Sequence, residues 1–226
     1  MTFRWKVRLL IYGIIIPLLF SGFLLIVNPF YANHAFFNVW GSSSTDVFAV
    51  GGGSSGEGGG IIAHYNGHDW SRMSGNFATA LFDVWGTSSD NVFAVGKGGR
   101  IMYYDGTKWT EMKSGTSQEL HGVWGSSTRD VYAVGYGGTI LHYDGNEWNQ
   151  IITDTNDNLE AIWGSSANDV FIVGDEGVIL HYNGNKWTIS NEKVCWTFTS
   201  IWGVSPSDVF VTCGGTGRIY HYDGSN

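Results

Sequence analysis

HGVWGSSTRDVYAVGYGGTILHYDGNEW, residues 121–148, holds two histidines, two aspartates, a glutamate, two tryptophans and a cluster of glycines. Alone, it looks like a site. Its neighbours change that reading. FDVWGTSSDNVFAVGKGGRIMYYDGTKW (82–109) precedes it, and EAIWGSSANDVFIVGDEGVILHYNGNKW (160–187) follows it. A nucleophile or a metal site is needed once. Residue types present in every copy therefore belong to the fold before they belong to chemistry.

The tryptophans of a recurring V/I-W-G fall at 40, 85, 124, 163 and 202, spaced 45, 39, 39 and 39 residues apart. GGGSSGEGGG (51–60) lengthens the first interval. The units are 36–80, 81–119, 120–158, 159–197 and 198–226. Each reads as four short strands. Leu120 to Trp124 is closed by GSSTRD, and Val131 to Val134 is β-branched and aromatic. Glycines 135, 137 and 138 break the chain before Ile140 to Tyr143. Asp144-Gly145 then reads as the two positive-φ residues of a tight hairpin. The fourth strand carries Trp70, Trp109, Trp148 or Trp187. Four strands in roughly forty residues make one blade of a β-propeller, so the expected fold class is all-β, with about five blades and the last incomplete. The V/I-W-G tryptophans are expected to be buried between blades.

The repeat rule assigns most of the polar residues. His142 recurs as His64, His181 and His221, with Tyr103 in the second unit. Asp130 recurs as Asp46, Asp169 and Asp208, with Asn91 in the second unit. Both patterns fit structural roles, the aspartate capping a turn through neighbouring backbone amides. The motif WGSSxxDVFAVGxxGxIxHYDGxxW resembles the tandem repeats of exported bacterial and archaeal β-propellers, loosely grouped with the YVTN and Asp-box (BNR-like) propellers. The resemblance covers 36–226. It implies a propeller of the kind that hosts binding proteins, assembly factors and some hydrolases. A true Asp box has one residue between its aspartate and glycine, and YYDGTKW and HYDGNEW have none.

Bulk chemistry narrows the partners. Glycine numbers 33, tryptophan 11, and only 14% of residues are charged, with a net charge of -8. Arg4, Lys6 and Arg8 precede LLIYGIIIPLLFSGFLLIV (9–27), which contains no charge. Beyond residue 27, nine basic residues face twenty acidic ones. An acidic body with no basic stripe excludes nucleic acid as a partner. As a helix at ~1.5 Å per residue, the apolar run reaches across a bilayer core of roughly 30 Å. Its basic side places residues 1–8 in the cytoplasm and the body outside. The run reads as a transmembrane signal-anchor, or as a signal peptide whose cleavage would leave a secreted protein. Residues 28–35 read as a linker or as a strand that closes the last blade. In an exported body Cys195 and Cys213 fit either a disulfide or two buried thiols.

In an up-and-down blade, the turns after strands one and three share one rim, and here they repeat nearly unchanged. The connections after strands two and four share the other, and they vary. The variable rim is the expected binding surface, presenting Lys97, Arg100, Tyr136, Asp175, Glu176 and Arg218 to a protein or glycan partner. A competing enzyme reading gathers Asp83, His121 and Glu160 near the channel as acid and base of a glycoside hydrolase or lyase. Asp154, Asn156 and Asp157 offer oxygen ligands for calcium but lack the EF-hand spacing. No cofactor is expected. The fourth-strand tryptophan due after Asp223-Gly224 does not occur. The expectation is an open sheet edge there that associates with another chain.

Overall fold

A computed structural model describes residues 7–11, 14–18, 34–53, 59–191 and 193–225. The chain forms two compact units, Met1–Ala35 and Phe36–Asn226. In the first, Val7–Ile11 pairs antiparallel with Ile14–Leu18. Within the 9–27 run, the described residues are thus extended rather than helical, as a string of β-branched isoleucines permits. The rest of that run, and residues 28–33 of the expected linker or closing strand, lie outside the described residues. Among the described residues no helix is long and apolar enough to cross a membrane.

The second unit is a succession of antiparallel sheets, each strand pairing with the next in the chain. Blade 1 is His34–Ser43, Asp46–Gly53, Gly60–Tyr65 and Trp70–Arg72. Residues 34 and 35 thus open an inner strand rather than closing the last blade. Blade 2 is Leu81–Ser88, Asn91–Gly96, Ile101–Tyr104 and Trp109–Met112. Blade 3 is Leu120–Ser127, Asp130–Gly135, Thr139–Tyr143 and Trp148–Ile151. Blade 4 is Leu159–Ser166, Asp169–Gly174, Val178–Tyr182 and Trp187–Asn191. Blade 5 has three strands among the described residues: Phe198–Ser205, Asp208–Cys213 and Arg218–Tyr222.

The second strands of blades 2, 3 and 4 are apolar on both faces because neighbouring blades cover both. Val92, Phe93, Ala94 and Val95 are all inaccessible to solvent, and the corresponding residues of blade 3 behave alike. The core is accordingly a series of inter-blade clusters. Phe48 and Val50 of blade 1 meet Leu81, Val84 and Val92 of blade 2, and the pattern repeats down the chain.

Two readings from sequence need correction, and a third, left between two alternatives, is decided. The Asx-Gly hairpins are four-residue connections, since Tyr143 pairs with Trp148. Only the glycine has positive φ, +95° at Gly145, while Asp144 Oδ1 accepts the amides of Asn146 and Glu147. A side-chain acceptor does the work that a second left-handed residue would do in a two-residue turn.

The second correction concerns the tryptophans. Those of V/I-W-G are only half-buried, and Trp202 is 58% exposed. Each lays its ring edge on the glycine after the equivalent tryptophan of the next blade. A Cβ on Gly125 would fall 2.7 Å from Trp85, and one on Gly164 2.4 Å from Trp124. The same holds for Gly86 beneath Trp40 and Gly203 beneath Trp163. These glycines also face a carbonyl of their own blade, Asn91 O for Gly86 and Asp130 O for Gly125, so strand and neighbouring indole both leave no room for a side chain. Trp202 meets no such glycine among the described residues. The buried indoles are those of the fourth strands, Trp109 and Trp148, set edge-on against Phe48 and Phe93 of the preceding blade.

The third concerns the cysteines, which are joined: Cys195 and Cys213 form a disulfide with Cα atoms 5.9 Å apart. It ties the connection into blade 5 to that blade's second strand.

The repeated histidines and aspartates form one cluster per blade at the constant rim. His142 Nε2 donates to Asp130 Oδ1 at 2.7 Å, and Ser126 Oγ donates to Asp130 Oδ2. His64–Asp46–Ser42 and His181–Asp169–Ser165 repeat the arrangement, and His221–Asp208 keeps the first bond. Blade 2 exchanges both partners together: Tyr103 Oη donates to Asn91 Oδ1, whose amide donates to Ser88 Oγ. The residue types are those of a hydrolase triad, but the carboxylate is central where catalysis needs the histidine. The cluster fastens strand three to the turn before strand two.

Candidate functional site

The variable rim is built by one backbone bond repeated in each blade from the second onward. The residue after strand two donates its N–H to the residue just before strand one: Lys97 to Ala80, Tyr136 to Glu119, Asp175 to Asn158 and Gly214 to Thr197, at 2.9–3.0 Å. The loop after the second strand is thereby stitched to the start of the inner strand. Residues at these two places form a single surface along the variable rim.

Phe37, Phe82, His121, Glu160 and Thr199 hold the same place in successive inner strands, three residues before the V/I-W-G tryptophan. Side chains there form a row. Phe37 and Phe82 rings lie 5.8 Å apart, Phe82 and His121 4.8 Å apart, and His121 Nδ1 stands 3.1 Å from Glu160 Oε2. Tyr136 stacks on His121 at 4.3 Å, and Glu119 Oε2 lies 3.6 Å from the imidazole Nε2. That Nε2 is buried and has no hydrogen-bond partner. The row is apolar along blades 1 and 2 and polar from blade 3 onward.

The electrostatics follow from this packing. Burial alone would lower the pKa of His121, but Glu160 and Glu119 outweigh it and hold the imidazole above its ordinary value. Burial first, then Glu160, Glu119 and Asp175, push the Tyr136 phenol up, so it remains a neutral donor. The cluster thus presents imidazole and phenol donors within an acidic field.

Of the proposed enzyme set, His121 and Glu160 meet and Asp83 does not join them. Asp83 is one position further along its strand, equivalent to Gly122 and Ala161. Its Oδ2 accepts the amide of Val123 in the next blade, and its Oδ1 accepts Val84 N and Asn38 Nδ2, at 2.5–2.8 Å. Burial pushes its carboxyl up to about 7 against these three donors. It is committed to joining the inner strands of blades 1, 2 and 3, and the acid–base constellation read from sequence is not assembled.

The six expected rim residues divide. Tyr136 is in the cluster beside His121. Asp175 stands behind it, accepting from Asn158 Nδ2 and Thr197 Oγ1. Arg100 is turned away, clamping Thr79, the Asn76 carbonyl and Glu111. Lys97 and Glu176 are exposed in their loops, and Arg218 is exposed at the start of its strand. Asp154 and Asn156 are exposed, and Asp157 accepts from Thr155 Oγ1. Among the described residues no cluster of three or more His, Cys, Asp or Glu is placed to hold a metal ion. Sequence reasoning overlooked Phe37, Phe82 and Glu119; Trp196, in a connection already assigned to this rim, is 78% exposed with its carbonyl accepting Glu176 N. The signal was available. Three residues before each V/I-W-G tryptophan, the repeat stops repeating.

Comparison with known proteins bears on the fold. No family model matches the chain, and no curated protein matches it. Among solved structures, that of YCF48 bound to D1 peptide is similar with a TM-score of 0.63 at 18% identity, covering 83% of this chain and 64% of that one. The Neurospora crassa Pan2 WD40 domain is similar with a TM-score of 0.59 at 10% identity, covering 87% of this chain and 63% of that one. The chain therefore has the β-propeller fold, and it spans less than two thirds of the length of either structure.

Proposed function

We propose that this chain is a membrane-tethered, extracytoplasmic binding module that holds a peptide segment of a protein partner along the variable rim. The observation that carries the reading is His121, an imidazole flanked by Glu119 and Glu160, stacked on Tyr136, with a buried Nε2 lacking an acceptor. A backbone carbonyl of an extended peptide supplies that acceptor. Lysine or arginine beside it meets Glu119 and Glu160, and an apolar residue two or three positions away rests on Phe82 and Phe37. Aromatic platforms next to fully used charges are what binding hot spots are made of. A propeller of the same fold bound to a peptide, YCF48 with D1, supports a protein partner over a glycan. The tether is residues 9–27, on the strength of their uncharged length and the basic residues before them.

A fluorescent peptide library varying basic and aromatic residues tests the rim by anisotropy. Selected peptides carry a basic and an apolar residue. They lose at least about tenfold in affinity to Tyr136→Ala and to Glu160→Gln, and they weaken with salt. Selection of peptides indifferent to both substitutions overturns the reading. Protease shaving of spheroplasts tests the topology separately.

A further inference from the structure

The row that contains Phe82, His121 and Glu160 owes its direction to a repeated irregularity. In blades 2 to 5 the register between inner strand and second strand slips by one residue, between Leu81 and Asp83, Leu120 and Gly122, Leu159 and Ala161, and Phe198 and Ser200. The residues passed over are Phe82, His121, Glu160 and Thr199. Each is the extra residue of a β-bulge, which has no partner on the second strand and whose side chain is re-aimed. The same slip frees the row from the ladder that fixes the rest of the blade. Another restraint has to hold it.

In blades 2 and 3 that restraint is one carboxylate. Val84 N, two residues past Phe82, donates to Asp83 Oδ1 at 2.8 Å. Val123 N, two residues past His121, donates to Asp83 Oδ2 at 2.8 Å. Asn38 Nδ2 donates to Oδ1 at 2.5 Å, and Asn38 Oδ1 accepts Val39 N at 2.8 Å. Three inner strands meet in this run of bonds. Blade 3 has no acceptor of its own to offer, because a Cβ on Gly122, the position equivalent to Asp83, would fall 3.1 Å from side-chain carbons of Ile162 and Val134. Its amide depends on blade 2. An acidic side chain is the one that sets two acceptor oxygens among three donors, since an amide would turn its NH2 toward one of them.

We propose that Asp83 is the positioning residue of the peptide site, setting Phe82 and His121 against each other by clamping their strands just beyond the bulges. This role rests on the rim reading above. Asp83 acts through the two rings, which stand 4.8 Å apart across the junction it spans. With one oxygen lost, the blade 3 bulge is free to drift, and a site is only as well placed as the groups that support it.

The test is Asp83→Asn in the full chain, which keeps the shape and one acceptor. In NMR of the free protein, the His121 ring resonances should move while those of His142 and His181 stay in place. Peptides selected on the wild-type rim should bind at least about tenfold more weakly. Asp169→Ala is the control, since it loosens the constant rim and should leave His121 and peptide affinity as in wild type. Asn38→Ala removes one donor and leaves both amides bonded. It should give the same changes in smaller measure, and it carries the test where Asp83→Asn does not fold. Unmoved His121 resonances, or a loss of affinity no greater than that of Asp169→Ala, overturns the proposal. A wild-type chain that binds none of the peptides overturns the rim reading instead, and the His121 resonances then judge Asp83 alone.

Discussion

The two rims of this propeller both carry histidines paired with carboxylates, and the pairs mean different things. On the constant rim each of four histidines donates to an aspartate, which in blades 1, 3 and 4 is also held by a serine. On the variable rim His121 stands once, between two glutamates, under a tyrosine, with a buried nitrogen unanswered. Identical residue types serve as a rivet in one place and as an open hand in the other. The difference is visible in what is satisfied: the repeated pairs have closed their hydrogen bonds within the blade, whereas the single one has not.

Several substitutions sharpen that contrast. The largest stability effect belongs to the variable rim's covalent strut. Cys213→Ser, or reduction of the Cys195 bridge, should cost about 3 kcal/mol, because it frees a loop of 18 residues' separation. Urea unfolding with and without reductant measures it, and an unchanged midpoint refutes it. Next comes the constant rim: Asp169→Ala strands both His181 and Ser165 and should cost about 2 kcal/mol. His121→Ala, by the same measurement, should cost less than about 1 kcal/mol while removing peptide binding. Equal losses from the two substitutions would erase the distinction between rivet and site.

The two families should also part company with pH. Burial would raise the carboxyl of Asp130, but bonds from His142 and Ser126 outweigh it and hold the group below its ordinary value. Its contribution is therefore full above the unfolded pKa near ~3.9 and is lost as pH falls through the folded value. His121 is held above its ordinary value, so its contribution is full below about 6.5 and disappears as pH rises through the folded pKa. Unfolding free energies of Asp130→Asn and His121→Gln relative to wild type, followed from acid to mild alkali, should converge on wild type at opposite ends. The smallest effect is a swap. Asn91→Asp with Tyr103→His installs the common pair in blade 2 and should change stability by less than about 0.5 kcal/mol. Each single change should cost more than the pair, a coupling that a double-mutant cycle reads directly.

Blade number, strand order and the non-catalytic role of the repeated histidines were all legible in the sequence, because repetition separates scaffold from exception. Other features were hidden. Asp83 looked like a partner for His121 because both open an inner strand. A one-residue offset instead turns it onto backbone amides of its own and the next blade, and only the fold reveals that register. The V/I-W-G tryptophans looked like core because large aromatics usually are. Their place depends on a glycine some forty residues further on, a relation between units that no single unit displays.

That hand-off from tryptophan to glycine has a direction. Blades 1 to 4 each give an indole forward and blades 2 to 5 each receive one, so each of these junctions is the same sentence spoken by a different pair. Stability in such a chain is counted by neighbours rather than by the whole, and a blade gained or lost leaves the remaining junctions intact. A defect at one glycine should propagate no further than the two blades it separates. Gly164→Ala, whose Cβ would meet the Trp124 ring, should loosen the junction between blades 3 and 4, with hydrogen exchange accelerated there and unchanged in the blades beyond.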